Sequence, residues 1–178
     1  MSGTEKNLPR NRRREVLLIG IALLVIILDQ LSKYYVRTYL SPGVPWNPIR
    51  SLQRYISLTY ITNTGAAFGL FPAFGTFFAV IAIVVVVVIL VYQRHLSGVH
   101  WLMHVGLGLQ LGGAAGNLID RLHLGHVVDF IDIKVWPVFN VADASTVIGV
   151  AFLALSLLRE GEQETQEQAT PIEPDPIQ

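Results

Sequence analysis

The chain contains no cysteine and little charge: Lys, Arg, Asp and Glu make up 15% of its 178 residues, and the formal net charge is zero. The first absence excludes disulfides, thiolate nucleophiles and Cys-ligated metals together. With no net charge, nothing steers the chain to nucleic acid, and no such partner is expected. No serine stands in a G-x-S-x-G context, which leaves a serine hydrolase without support. Ordinary soluble domains are roughly 25% charged. Here hydrophobic residues reach 52% and mean hydropathy is +0.48. One small domain cannot enclose that much apolar surface in a core, so the composition points to a membrane.

Residues 16–28, VLLIGIALLVIIL, are an unbroken apolar run that DQLSKYYV continues to Val36. A helix needs about 20 residues to cross the hydrocarbon, so this span takes Asp29 and Lys33 with it. They stand i, i+4 with the acid first, the favourable order for a helical ion pair. RNRRR and the run after it also look like the start of a signal peptide. No small-x-small cleavage site follows, so a retained span is expected. Residues 73–92 are free of charge and give the clearest span. Val-rich as it is, helix is expected there, because lipid requires every backbone group to pair internally. Residues 101–118 are a third candidate, where Gly108, Gly112 and Gly116 repeat at four-residue spacing and let helices approach closely. That segment is expected in the middle of a bundle. A fourth span runs from about Ala144 to Leu158, short enough to leave a start at Val141 open.

Arg10, Arg12, Arg13 and Arg14 precede the first span, Arg94 follows the second and Arg159 the fourth. This bias puts both termini in the cytoplasm, although Arg37, Arg50 and Arg54 then fall outside. The organisation expected is a basic N-terminus over 1–15, a membrane domain over 16–158 with outer loops 37–72 and 119–142, and a tail over 159–178. The first loop carries Pro42, Pro45 and Pro48 and then SLQRYISLTYIT, which reads as a small sheet or hairpin on the membrane surface. The acidic, Pro- and Gln-rich tail reads as disordered.

Ionisable residues inside a membrane are functional candidates, because each costs at least about 2.5 kcal/mol at a helix centre. Asp29, Asp120, Asp129, Asp132 and Asp143 all fall at or near the outer boundary. Two carboxylates that converge there share a proton, so that the ionised one can take a proton from water while the other donates to a carbonyl. Asp143 opens a span in FNVADAST, and a plain helix-capping role stays equally open for it. Asp129 in VVDF is flanked by apolar residues and has no such structural excuse. Asp132, near Lys134, suits the surface, and Asp120, next to Arg121, suits a structural ion pair. His123, His126 and Asp129 spell H-x-x-H-x-x-D, yet Gly125 and Val127–Val128 oppose a helix, and in a strand the two His would face opposite sides. The Glu of H-E-x-x-H is also missing, and no metal is expected. His95, His100 and His104 gather at the cytoplasmic end of the third span, where loop or interfacial roles suffice. Asn63, Asn117 and Asn140 each stand at the outer edge of a span. One alone would be a cap or turn residue; three, with Arg121, can supply donors and acceptors to a substrate backbone.

Five stretches carry a resemblance: DQLSK at 29–33, NTGAAF at 63–68, GGAAGNLIDR at 112–121, VVDF at 127–130 and FNVAD at 139–143. In this order they resemble the lipoprotein signal peptidase (signal peptidase II) family of bacterial membranes. The resemblance implies an all-α membrane protein with four transmembrane helices and a small β-rich extracytoplasmic cradle. It implies an aspartic endopeptidase without cofactor, with the catalytic pair at Asp129 and Asp143 and Asp132 outside the motifs. It further implies substrate contacts at Asn63, Asn117, Arg121 and Asn140, with Asp29 and Lys33 as supports beside the ion-paired Asp120. The substrate implied is a diacylglyceryl prolipoprotein, cut just before its lipidated Cys, and the inhibitor is globomycin. A monomer in the bacterial cytoplasmic (inner) membrane is expected, with its site toward the outer face. Two rivals are a small proton-coupled transporter subunit and a non-enzymatic scaffold held by the glycine-rich helix. Against the first, the acids gather at one face with no path across.

Overall fold

The computed structural model describes residues 12–65, 75–93 and 100–169. Its helices are α1 (Arg12–Tyr39), α2 (Gly75–Tyr92), α3 (Trp101–Leu124) and α4 (Val141–Ala169). Strands β1 (Pro45–Trp46), β2 (Ser57–Asn63) and β3 (Val127–Asp132) form an antiparallel sheet in the order β1-β2-β3. α1, α2 and Val141–Arg159 of α4 are long and apolar enough to cross a bilayer. Their outward faces stay apolar: Leu23, Leu24 and Ile27 on α1, Val80, Val84 and Val87 on α2, and Val147 on α4 are exposed. A soluble protein rarely shows continuous apolar faces of this size, and lipid is the solvent that suits them.

α3 is the centre of the bundle and packs against the other three helices, most extensively against α4 and α1. Its glycines make that possible. Gly108, Gly112 and Gly116 turn toward α1, while Gly106 and Gly113 turn toward α4. A Cβ on Gly112 would stand 2.6 Å from Val25 Cβ, far inside van der Waals contact. The four-residue repeat read from the sequence is therefore one of two glycine faces on the same helix.

The sheet rests on the C-terminal end of α1, where Val36 packs with Val128 and Phe130 of β3. Register pairs Ile61 with Asp129 and Asn63 with Val127, after an irregularity between Leu58 and Ile61. The sequence placed sheet only within 37–72, but the third strand comes from the second loop. Val127 to Phe130 are all buried, so β3 lacks the in–out alternation that marks a half-exposed strand.

Boundaries differ as well. α3 runs on to Leu124, moving Asp120 and Arg121 from the expected loop 119–142 onto a helix. LIDRLHL holds no helix breaker, and the chain turns only at Gly125, whose φ of 75° favours glycine. α4 begins at Val141 and continues to Ala169, where a disordered tail was expected, because Glu, Gln and Ala are good helix formers. Arg10, Arg94, His95, the end of NTGAAF and the stretch 170–178 lie outside the described residues.

Overpacking a tight helix contact costs about 1–3 kcal/mol. Gly112→Val is expected to lose that much in detergent unfolding, while Gly20→Ala, whose new Cβ would meet nothing within 4 Å, stays near wild type. An unchanged Gly112→Val would contradict the α1–α3 packing.

Candidate active site

The site is built outward from a buried lysine. Lys33 is 1% exposed and Asp29 fully buried, and they pair at 2.8 Å with the i, i+4 spacing read from the sequence. One such pair does not repay the desolvation of two ions, so further partners are needed. They come from α3: Asp120 at 3.0 Å and the Asn117 Oδ1 at 3.0 Å. The three ammonium hydrogens thus meet three acceptors. Asp120 pairs with Lys33 and not with Arg121, as expected from its neighbour, because adjacent helical residues point about 100° apart.

The two supporting carboxylates each hold one more group. Asp120 Oδ2 accepts the Val128 N–H at 3.0 Å, and Asp29 Oδ1 accepts the Ala142 N–H at 3.0 Å. Val128 precedes Asp129, and Ala142 precedes Asp143. Gln30 Nε2 lies between the acids, 3.1 Å from Asp29 Oδ2 and 3.0 Å from Asp120 Oδ1.

Asp129 stands inside β3 and is 3% exposed. Asn63, at the end of β2, donates to its Oδ2 at 3.0 Å, and Asn140 donates to its Oδ1 at 2.7 Å. Asp143 lies in the first turn of α4. The Asn140 side chain accepts the Asp143 N–H at 2.9 Å, while Asp143 Oδ2 accepts the Asn140 N–H at 3.2 Å. This is a reciprocal capping box in which Asn140 is the cap and Asp143 its third-position partner. The capping role left open for Asp143 is thus shared with Asn140, and its other oxygen, Oδ1, is left to accept from Asn117 Nδ2 at 2.8 Å.

Both aspartates line one cavity of about 500 Å³, together with Asn63, Asn117 and Arg121. Phe78, Ile81 and Val85 of α2 supply an apolar wall. The Arg121 guanidinium sits 5.8 Å over the Phe78 ring, with Nη1 3.4 Å from the Asn117 carbonyl oxygen. Asn140 is fully buried behind the carboxylates. Asp132 faces the other side of the strand, as an odd offset from Asp129 requires. It pairs there with Lys134 at 2.6 Å and accepts from Ser57 and Thr59.

Burial is the main reason the Asp129 carboxyl is pushed up to about 6, and the neighbouring Asp143 charge adds to it. Hydrogen bonds from Asn63 and Asn140 offset part of this rise. Asp129 therefore holds a proton more readily than an ordinary carboxyl. His123 lies in the last turn of α3 and His126 follows the Gly125 turn. Among the described residues, no three His, Asp or Glu side chains group as for a metal ion.

Sequence reasoning missed Gln30, Gln110, Phe78 and Trp136, of which the last three line the cavity. The two glutamines did carry a signal, as uncharged polar residues within apolar runs. Phe78 and Trp136 carried none.

The family model described as Signal peptidase (SPase) II matches residues 21–159. The Lipoprotein signal peptidase of Moorella thermoacetica is 45% identical over 138 residues, covering 78% of this chain and 90% of that protein. That of Halothermothrix orenii is 42% identical over 139 residues, covering 77% and 92%. A solved structure described as a bacterial membrane enzyme superposes with a TM-score of 0.74 at 31% identity, covering 88% of this chain and 94% of that one. A second of the same description gives 0.69 at 34% identity, covering 80% and 92%.

Removing one partner of a buried ion group costs about 3–5 kcal/mol. Lys33→Met is expected to lose that much in unfolding measurements in detergent. Lys134→Met breaks a pair that is 33% and 15% exposed, and should cost under about 1 kcal/mol. Equal losses would contradict the central position given to Lys33.

Proposed function

The chain belongs to the signal peptidase II family, and on that footing we propose that it is an intramembrane aspartic endopeptidase. Its substrate is a prolipoprotein whose lipobox Cys carries a diacylglyceryl group. It cuts just before that Cys and releases the signal peptide. The observation that carries this reading is that Asp129 and Asp143 reach one cavity from different elements, beside Arg121 and against an apolar wall.

A water molecule between the two carboxyls is the nucleophile. Asp143 is the base, because both its oxygens already accept N–H groups. Asp129, with its raised affinity for a proton, is the acid. Asp143 takes a proton from water as the oxygen adds to the scissile carbonyl, and Asp129 gives its proton to the carbonyl oxygen. When the C–N bond breaks, Asp143 returns its proton to the leaving nitrogen and Asp129 regains one from the hydroxyl. Asn63, Asn117 and Asn140 hold the carboxylates in place. Arg121, Asn63 and Asn117 on the cavity wall serve the substrate backbone, whereas Asn140, expected to do so as well, is fully buried behind them. Globomycin blocks the site by setting a hydroxyl between the same two carboxyls.

α3 is the fourth membrane span, its apolar outer surface replaced by contact with three neighbours. Arg12, Arg13 and Arg14 at the start of α1 keep both termini in the cytoplasm. Sheet, dyad and cavity then lie at the outer face, where the scissile bond meets its lipid anchor. The enzyme works as a monomer.

The test is cleavage of a diacylglyceryl-modified prolipoprotein. Asp129→Asn and Asp143→Asn should each lower kcat/KM roughly 10³-fold or more, with folded yield retained, and Asp132→Asn should stay within about twofold. An active Asp143→Asn would leave that residue as a capping partner and end the water-sharing mechanism. The acid must be protonated, so kcat/KM should fall as pH rises through about 6. A rate that is flat from pH 5 to 8 would remove Asp129 from that role.

A further inference from the structure

Below the dyad two polar side chains that the mechanism leaves unused line the cavity, Gln110 and Thr146. Gln110 lies seven residues before Asn117 on α3, on the same face and about 10 Å deeper along the helix axis. Its Nε2 donates to the Thr146 carbonyl oxygen of α4 at 2.9 Å. A carbonyl can only accept, so the amide is fixed with nitrogen toward α4 and Oε1 left over. Gln110 lines the cavity, and among the described residues its Oε1 has no hydrogen-bond partner and is not one of the buried atoms left without one. Between this level and Asn117 the α3 wall is Gly113 and Ala114, which offer no side-chain hydrogen bond. The nearby Thr146 hydroxyl already donates to the Ala142 carbonyl at 3.0 Å.

A peptide must be extended where it is cut, so a signal peptide arriving as a helix has to open its last turn. The amides freed there are costly in hydrocarbon unless they find a partner. Ten ångströms of extended chain is about three residues. We infer that Gln110 is a substrate-binding residue whose Oε1 accepts a backbone N–H of the signal peptide about three residues before the cut, steadying the unwound segment. This rests on the peptidase reading above and adds to it a contact on the signal-peptide side.

The test uses the full-length enzyme with a synthetic diacylglyceryl-modified peptide and three analogues, each replacing the N–H of the second, third or fourth residue before the Cys by an ester oxygen. One analogue should lose roughly five- to tenfold in kcat/KM with wild type, the size of one neutral hydrogen bond. Gln110→Leu should lose about as much on the all-amide peptide and nothing further on that analogue. Should Gln110→Leu not fold, Gln110→Met enters the same cycle. Multiplying losses would make Gln110 a helix tie only and overturn the inference, as would a wild type indifferent to all three esters. If wild type fails to cleave the all-amide peptide, the peptidase reading itself falls; if it cleaves all four equally, only this inference does.

Discussion

The ammonium group of Lys33 ties α1 and α3 to the two elements that carry the aspartates of the cavity, β3 and α4. It joins α1 to α3 through Asp120 and Asn117 and stays paired with Asp29 on its own helix. Those partners reach further, Asp29 to the first turn of α4 and Asp120 to β3. Each grip falls on the peptide N–H just before an aspartate of the cavity. An isolated buried charge would be ruinous in this environment. Saturated with three acceptors, it becomes the point from which the two carboxyls are positioned.

Polarity then passes outward through asparagines, whose two ends are not interchangeable. Lys33 can only donate, so Asn117 must present oxygen to it and nitrogen to Asp143. Asn140 points its nitrogen at Asp129 and its oxygen at the Asp143 N–H. The carboxylates thus receive donors from the protein side and keep their remaining lone pairs for the cavity. Asp143 is both a helix-box partner and a cavity residue, so a capping role does not take this side chain out of the cavity. The glycines of α3 serve the same end, since only a helix without side chains on those faces can bring Asn117 this close to α1 and α4 at once.

Much of this was legible in the chain. Apolar runs marked three of the helices, and glycine spacing marked the packed one. Asp29 and Lys33 were readable as a pair because helical geometry alone brings i and i+4 together. Convergence across elements was not readable, since nothing local says that Lys33 reaches Asp120 or that Asn140 stands behind Asp129. The N-x-x-D of NVAD did carry a capping-box pattern, with Asn as the cap, and it was obscured by attention to Asp143. β3 was hidden by continuous burial, and the helical run of α4 past Arg159 by a composition that suits helix and disorder alike. Gln110 sat in plain view among leucines and glycines, its meaning dependent on a cavity that only the fold creates.

That Asp129 and Asp143 form one coupled pair is tested most directly by infrared titration of the protonated carboxyl band. Wild type, Asp129→Asn and Asp143→Asn would be compared in detergent. The band should titrate near pH 6 in wild type and that step should vanish in Asp129→Asn. In Asp143→Asn the midpoint should move down, because a neighbouring negative charge has gone while burial remains. A midpoint that does not move in Asp143→Asn would mean that the two carboxyls do not sense each other, and the shared-proton site would have to be abandoned.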